Sequence, residues 1–195
     1  PEQRAFRPVE WRDMLILLRS PRVKAEALAK IFERAGVPLL AARRGLYDAL
    51  EVSDLLNLLT LLDNPLQDIP VLAVLRSPLV GLGVEALALI RLEQRDGDYW
   101  TALKLFHRRG PGSDEAAAAV RAEAWRRVDR FLDRYERWRR LVRRGSLSPC
   151  LETVLDETYY ESWLEVQPRG AQRRGNVRRL LALTRQFDRF QRQGL

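Results

Sequence analysis

The spacing of apolar residues predicts a chain that is mostly helical. Leu50 to Leu62 is its most apolar stretch: Leu55, Leu56, Leu58, Leu59, Leu61 and Leu62 leave almost no polar face, so this helix must be buried on most sides. Asp63-Asn64-Pro65 stops it, because a residue before proline is pushed out of the α region. Asp68 then reads as an N-cap, with Pro70 in the first turn of a short helix ending near Arg76. Ser77-Pro78 breaks the chain again, and Gly81-Leu82-Gly83 forms a tight turn into a helix predicted from Val84 to about Arg95.

Downstream the pattern stays helical. Tyr99 to Phe106 is a short aromatic helix, and Asp114 is the expected N-cap of a long one reaching about Arg144. Val120, Ala124, Val128, Phe131, Tyr135, Trp138 and Val142 recur there every three or four residues as one stripe. Ser148-Pro149 reads as N-cap and N1 of a helix through Thr158. Tyr159, Tyr160 and Trp163 form an aromatic group, read as core. Gln167 to Gly175 is expected to be a basic loop, and Asn176 to cap a last helix with Val177, Leu180, Leu181, Thr184, Phe187 and Phe190 inward.

The first 47 residues read differently. Met14 to Leu18 is a continuous apolar run, the pattern of a buried strand in an α/β sheet, with Arg19 at its C-terminal end where such sheets place ligand groups. An amphipathic helix follows from Val23 to Ala35, closed by Gly36, and Val37 to Leu40 is a candidate second strand. The expected organisation is a small α/β piece over residues 1–47 and a helical domain over 48–195.

Charge adds a candidate partner. The net charge is +8 and the pI about 10.3, which favours a polyanion. All but three of the 34 basic residues are arginines, which suit bidentate phosphate contact. Arg121 to Arg144 of the long helix is dense in arginine, but Glu123, Asp129, Asp133 and Glu136 interleave at helical spacing. A solvated ion-paired face and a DNA-binding face both fit, with Arg137, Arg140, Arg143 and Arg144 the better DNA candidates. Arg173 and Arg174 form a second basic cluster. The glycine turn also has two readings: a plain interhelical loop, or a place where backbone N–H groups meet a phosphate at a helix N-terminus.

Other chemistries are poorly supplied. One cysteine, Cys150, and one histidine, His107, exclude an internal disulfide and disfavour a zinc site or a nucleophile–histidine pair; Cys150 is read as packed. This usage fits a reducing cytoplasm. No apolar run reaches the roughly 20 residues a bilayer requires, and no G-x-x-x-x-G-K-[ST] loop is present, so no ATP hydrolysis is expected of this chain alone.

The order of these elements carries a resemblance. "VPLL", "GLYDALEVSDLLNLLTLLDNPLQDIPVLAVLRSPLVGLG" and, more loosely, "ETYYESWLEVQPRGAQRRGNVRRLLALTRQFDRF" resemble the superfamily 1 DNA helicases of the UvrD/Rep type, and within them the AddA-like helicase/nuclease proteins. Leu82, where that pattern often has isoleucine, is a small departure. The resemblance implies the end of motor subdomain 2A over 1–47 and helical subdomain 2B over 48–195, excised from a longer parent. It implies an arginine-finger role for Arg19 towards ATP held elsewhere with Mg2+, none being bound by this segment. It implies an accessory domain contacting duplex phosphates near a fork without sequence preference, through Gly81, Leu82, Gly83, Arg76 and Ser77. The implied protein partners are the remaining helicase domains and an AddB-like subunit. The alternative is a helical module that packs on those partners and has little DNA affinity.

Overall fold

The computed structural model describes residues 7–19, 21–39, 46–111, 118–143 and 145–192. They divide into two compact units, Pro1–Tyr47 and Asp48–Leu195.

The first unit contains a short 3-10 turn at Trp11–Asp13, where Arg7 pairs with Asp13, and helix α1 (Pro21–Arg34), followed by Gly36 at φ +67. The expected strand is not formed: residues 14–18 have no regular secondary structure, and among the described residues no strand occurs. Leu15 and Leu17 are 81% and 85% exposed. A buried strand needs neighbours on its edges and cover on both faces, and the described residues of this unit supply neither.

The second unit holds helices α2 (Leu50–Asp63), α3 (Asp68–Arg76), α4 (Val84–Glu93), α5 (Tyr99–Arg109), α6 (Ala118–Arg143), α7 (Leu147–Thr158), α8 (Tyr160–Glu165) and α9 (Gly170–Arg192). Helices α3, α4 and α5 form one group and α7, α8 and α9 another; α2 and α6 touch both groups and each other. The leucine-rich α2 therefore sits at the centre, with Val52, Leu55, Leu58 and Leu61 fully buried. The stripe of α6 is buried from Ala124 through Trp138, while Val120 at its start is exposed. Asp114 and Arg144 lie outside the described residues.

Several predicted helix ends are set instead by side chains distant in sequence. Asp68 is the first residue of α3, after Gln67, and does not cap it. Its carboxylate accepts from the Tyr99 amide at 2.7 Å and from Arg91 at 2.9 Å, tying α3 to the start of α5 and to α4. Helix α7 begins at Leu147, after Ser146, so Ser148 is inside it; Asp188 of α9 accepts from the Leu147 and Ser148 amides at 2.8 and 2.9 Å.

The predicted basic loop is helical from Gly170 onward, and Asn176 lies inside α9. A Cβ at Gly170 would collide with the Glu165 and Leu164 carbonyl oxygens, so glycine is required where α9 abuts the end of α8. Carboxylates support this early start. Arg174 pairs with Glu165, while Arg173 and Asn176 both reach the buried Glu51 of α2. Asp54, one turn on, accepts from the Tyr160 hydroxyl at 2.7 Å; burial pushes the Asp54 carboxyl up despite this bond. Val177, Leu180, Leu181 and Thr184 face inward as predicted, but Phe187 and Phe190 are exposed and Asp188 takes the buried position.

Cys150 is fully buried, its Sγ 3.6 Å from the Trp138 carbonyl oxygen, and burial pushes its thiol up to about 12. Thiolate is the reacting form. A thiol-labelling time course at pH 8 should therefore run at least about 100-fold slower on native than on urea-unfolded chain. Equal rates would show that the site opens freely.

Candidate nucleic-acid interface

The turn between α3 and α4 follows from its residue types. Ser77 ends α3: it is buried, its hydroxyl donates to the Val74 carbonyl at 2.8 Å, and its Oγ accepts from the Leu79 amide. Its carbonyl accepts from the amides of Val80 and Gly81, and the Leu82 amide donates to the Leu75 carbonyl at 2.8 Å. Gly81 has φ +77, a left-handed conformation that favours glycine. Leu79 and Leu82 are buried, which plugs the turn into the core.

Gly83 opens α4 as its N-cap in an extended conformation and brings no side-chain cap. The first N–H groups of any α-helix lack intrahelical acceptors and carry the positive end of the helix dipole. The donors presented here therefore come from Val84, Glu85 and Ala86, whereas the Gly81 and Leu82 amides are already bonded within the turn. Glu85 adds an acidic side chain to this first turn. Arg76 is exposed at the last turn of α3.

A residue not singled out from the sequence completes the turn. Arg127, on α6, donates from Nη1 to the Gly81 carbonyl at 2.6 Å and from Nε to Glu123 at 2.7 Å. Glu123 also accepts from Arg126. Hydrogen bonds from Arg127 first and Arg126 second hold the exposed Glu123 carboxyl down to about 2.

The other candidate arginines separate into two groups. Arg137 is bound to Asp133 and Glu157, Arg173 to Glu51, and Arg174 to Glu165 and Glu161. Such pairs leave less net charge for an outside anion. Arg140 and Arg143 are exposed, with no carboxylate partner among the described residues, so this end of α6 keeps its charge for solvent or a ligand. Arg19 is exposed in the first unit. Among the described residues no group of three or more His, Cys, Asp or Glu could hold a metal ion, and no helix is long and apolar enough to cross a membrane.

Comparison with known proteins assigns the family. The chain is 39% identical over 173 residues to the AddA protein of the ATP-dependent helicase/nuclease of Lysinibacillus sphaericus, covering 88% of this chain and 13% of that protein. It is 37% identical over 202 residues to the protein of the same name from Heliobacterium modesticaldum, covering all of this chain and 14% of that one. Over most of its length the chain is homologous to one segment of AddA-type helicase/nuclease proteins. A third relative of the same name, from Bacillus cereus, is 34% identical over 98% of the chain. The chain spans about one seventh of the length of these relatives. No protein-family model matches it.

The AddA relationship confirms the resemblance carried by the α2–α4 segment. Arg127 escaped the sequence reading because it lies 46 residues from Gly81 in a helix crowded with arginines. No local pattern distinguishes it from its neighbours Arg126 and Arg130.

Proposed function

We propose that this chain acts as an accessory DNA-contacting domain of an AddA-type helicase/nuclease, holding duplex backbone phosphates at the start of α4 beside Arg76, with Arg140 and Arg143 as a second contact. The observation that carries the reading is the α4 N-terminus without a side-chain cap, entered through a turn with Gly81 in the left-handed region. A glycine N-cap leaves the helix donors open to an outside anion. Contacts of this kind hold DNA without reading its sequence. Ser77 then contributes by shaping the turn, since its hydroxyl is used internally.

In the same reading residues 1–47 belong to the adjoining motor domain. Met14 to Leu18 would become a strand when the rest of that sheet covers it, and Arg19 would reach a nucleotide bound elsewhere. ATP and Mg2+ belong to the other domains, because this chain has no phosphate-binding loop of its own. An AddB-like subunit is the corresponding protein partner. A second reading, a module that mainly packs on protein, is favoured by a different observation: Leu183, Phe187 and Phe190 form an exposed apolar stripe on α9.

Gly83→Asp separates the two. A Cβ at Gly83 meets nothing within 4 Å and its φ is −77, so aspartate fits without strain. As an N-cap it should raise stability by a few tenths of a kcal/mol, roughly 0.3. Its carboxylate would occupy the donors meant for phosphate. Fluorescence anisotropy with a duplex bearing a single-stranded tail should then show roughly tenfold weaker binding, and a wild-type salt slope of about three at ~0.9 per neutralised phosphate. A shallow slope, with variant and wild type equally weak, would favour the protein-packing module.

A further inference from the structure

The glycine turn is held from outside by one side chain. Arg127 spans from α6 to the Gly81 carbonyl, and its Nη1 lies where the first atom of any side chain at position 81 would come within 2.7 Å. The same guanidinium is fixed from behind by Glu123, one turn earlier on α6. Two arms of a planar fork are thus used on two acceptors, a geometry that a lysine ammonium does not reproduce. Beyond its own bonds to Ser77 and Leu75, the turn has, among the described residues, this one side-chain tie from another helix at its left-handed residue.

We propose that Arg127 is a positioning residue for phosphate binding: it holds Gly81 so that the start of α4 stays open towards DNA, and thereby couples α6 to DNA affinity. This rests on the reading of the α4 N-terminus as a phosphate site. Arg127 acts through the backbone of the turn, so its geometry matters more than its charge. Arg127→Lys keeps the charge and loses the fork, which makes it the informative variant.

The test uses the full 195-residue chain as wild type, Arg127→Ala and Arg127→Lys, with two readouts. The first is amide hydrogen exchange at Gly81 and Leu82, whose N–H groups donate to Ser77 and Leu75. The second is anisotropy with the tailed duplex across a salt series. Both variants are expected to exchange these two amides about tenfold faster and to bind the duplex about tenfold more weakly, with far-UV circular dichroism unchanged. Should Arg127→Ala fail to fold, Arg127→Lys decides alone. Unchanged exchange in the variants overturns the proposal, as does faster exchange with unchanged affinity. Wild-type-like binding by Arg127→Lys would make the residue a mere charge and also overturns it. If wild type itself shows no salt-dependent binding, the phosphate-site reading fails and the positioning role fails with it; the exchange data then still report whether Arg127 holds the turn.

Discussion

Trp138→Ala should destabilise the helical unit by about 3–5 kcal/mol, the largest effect expected of any single substitution considered for this chain. Trp138 is fully buried on α6, its ring 6.5 Å edge-on from Phe131, and its Nε1 donates to Glu157 of α7 at 3.0 Å. Its carbonyl oxygen also faces Cys150 Sγ. Truncation would leave a ring-sized cavity where α6 meets α7 and remove one donor from Glu157. Helix α6 also touches α2, α4 and α5, so loosening it reaches both helix groups. Urea unfolding followed at 222 nm should show the midpoint falling with an unchanged slope, and thermal unfolding a midpoint lower by roughly 8–16 °C. A loss below about 1 kcal/mol would mean that the neighbours collapse into the space, and that α6 is not the bridge between the two groups.

Asp188→Ala should cost about 2–4 kcal/mol, an unusual size for a carboxylate on a terminal helix. Asp188 is buried on α9 and acts as the N-cap that α7 does not supply for itself. It accepts from the Leu147 amide, the Ser148 amide and, at 2.5 Å, the Ser148 hydroxyl. Alanine would strand these donors at a helix start, where water reaches them poorly. Asp188→Asn keeps one acceptor and should fall between alanine and wild type.

The pH dependence follows from the same contacts. Burial alone would push the Asp188 carboxyl up, but the hydrogen bonds from Ser148, Leu147 and Ser146 outweigh it and hold the carboxyl below the ordinary range. A carboxyl depressed in the folded state adds stability that is present above its unfolded value, near ~4, and is lost as pH falls through the folded value. The gap between wild type and Asp188→Ala should therefore be constant from pH 7 down to about 5 and narrow below about 4. Chemical denaturation at pH 7, 5 and 3.5 measures it. A gap that widens on acidification would mean that Asp188 does not carry its charge in the folded chain. Asp54 runs the other way. Its carboxyl is raised, chiefly by burial, so its contribution is fully present in acid and is lost as pH rises through the raised folded value.

Local chemistry alone was enough for the helical content and most element positions of residues 48–195. The leucines of α2 and the aromatic stripe of α6 demand burial at helical spacing, and Asn64-Pro65 and Ser77-Pro78 stop helices whatever surrounds them. The family resemblance was legible too, since it depends on the order of those same local features. The glycine turn was readable as a turn for the same reason.

Which group satisfies which was settled by packing between distant segments. Asp68 read as the cap of its own helix and nothing in the local pattern singled out Asp188, yet each serves the start of another helix, because a buried N–H takes whichever oxygen packing delivers. The start of α9 read as a basic loop, but Glu51 and Glu165 neutralise its arginines and Gly170 lets the two backbones meet. The arginine-rich face of α6 shows the same limit. The sequence favoured Arg137, Arg140 and Arg143 over Arg126 and Arg127 as DNA candidates, and three-dimensional packing regrouped them. Glu123, Asp133 and Glu157 pair three of them, leaving Arg140 and Arg143 at the surface, and only Arg127 also reaches the Gly81 carbonyl. Conversely, residues 14–18 have the apolar run of a strand and do not form one, since a strand's hydrogen bonds must come from a neighbouring chain segment and periodicity cannot provide it.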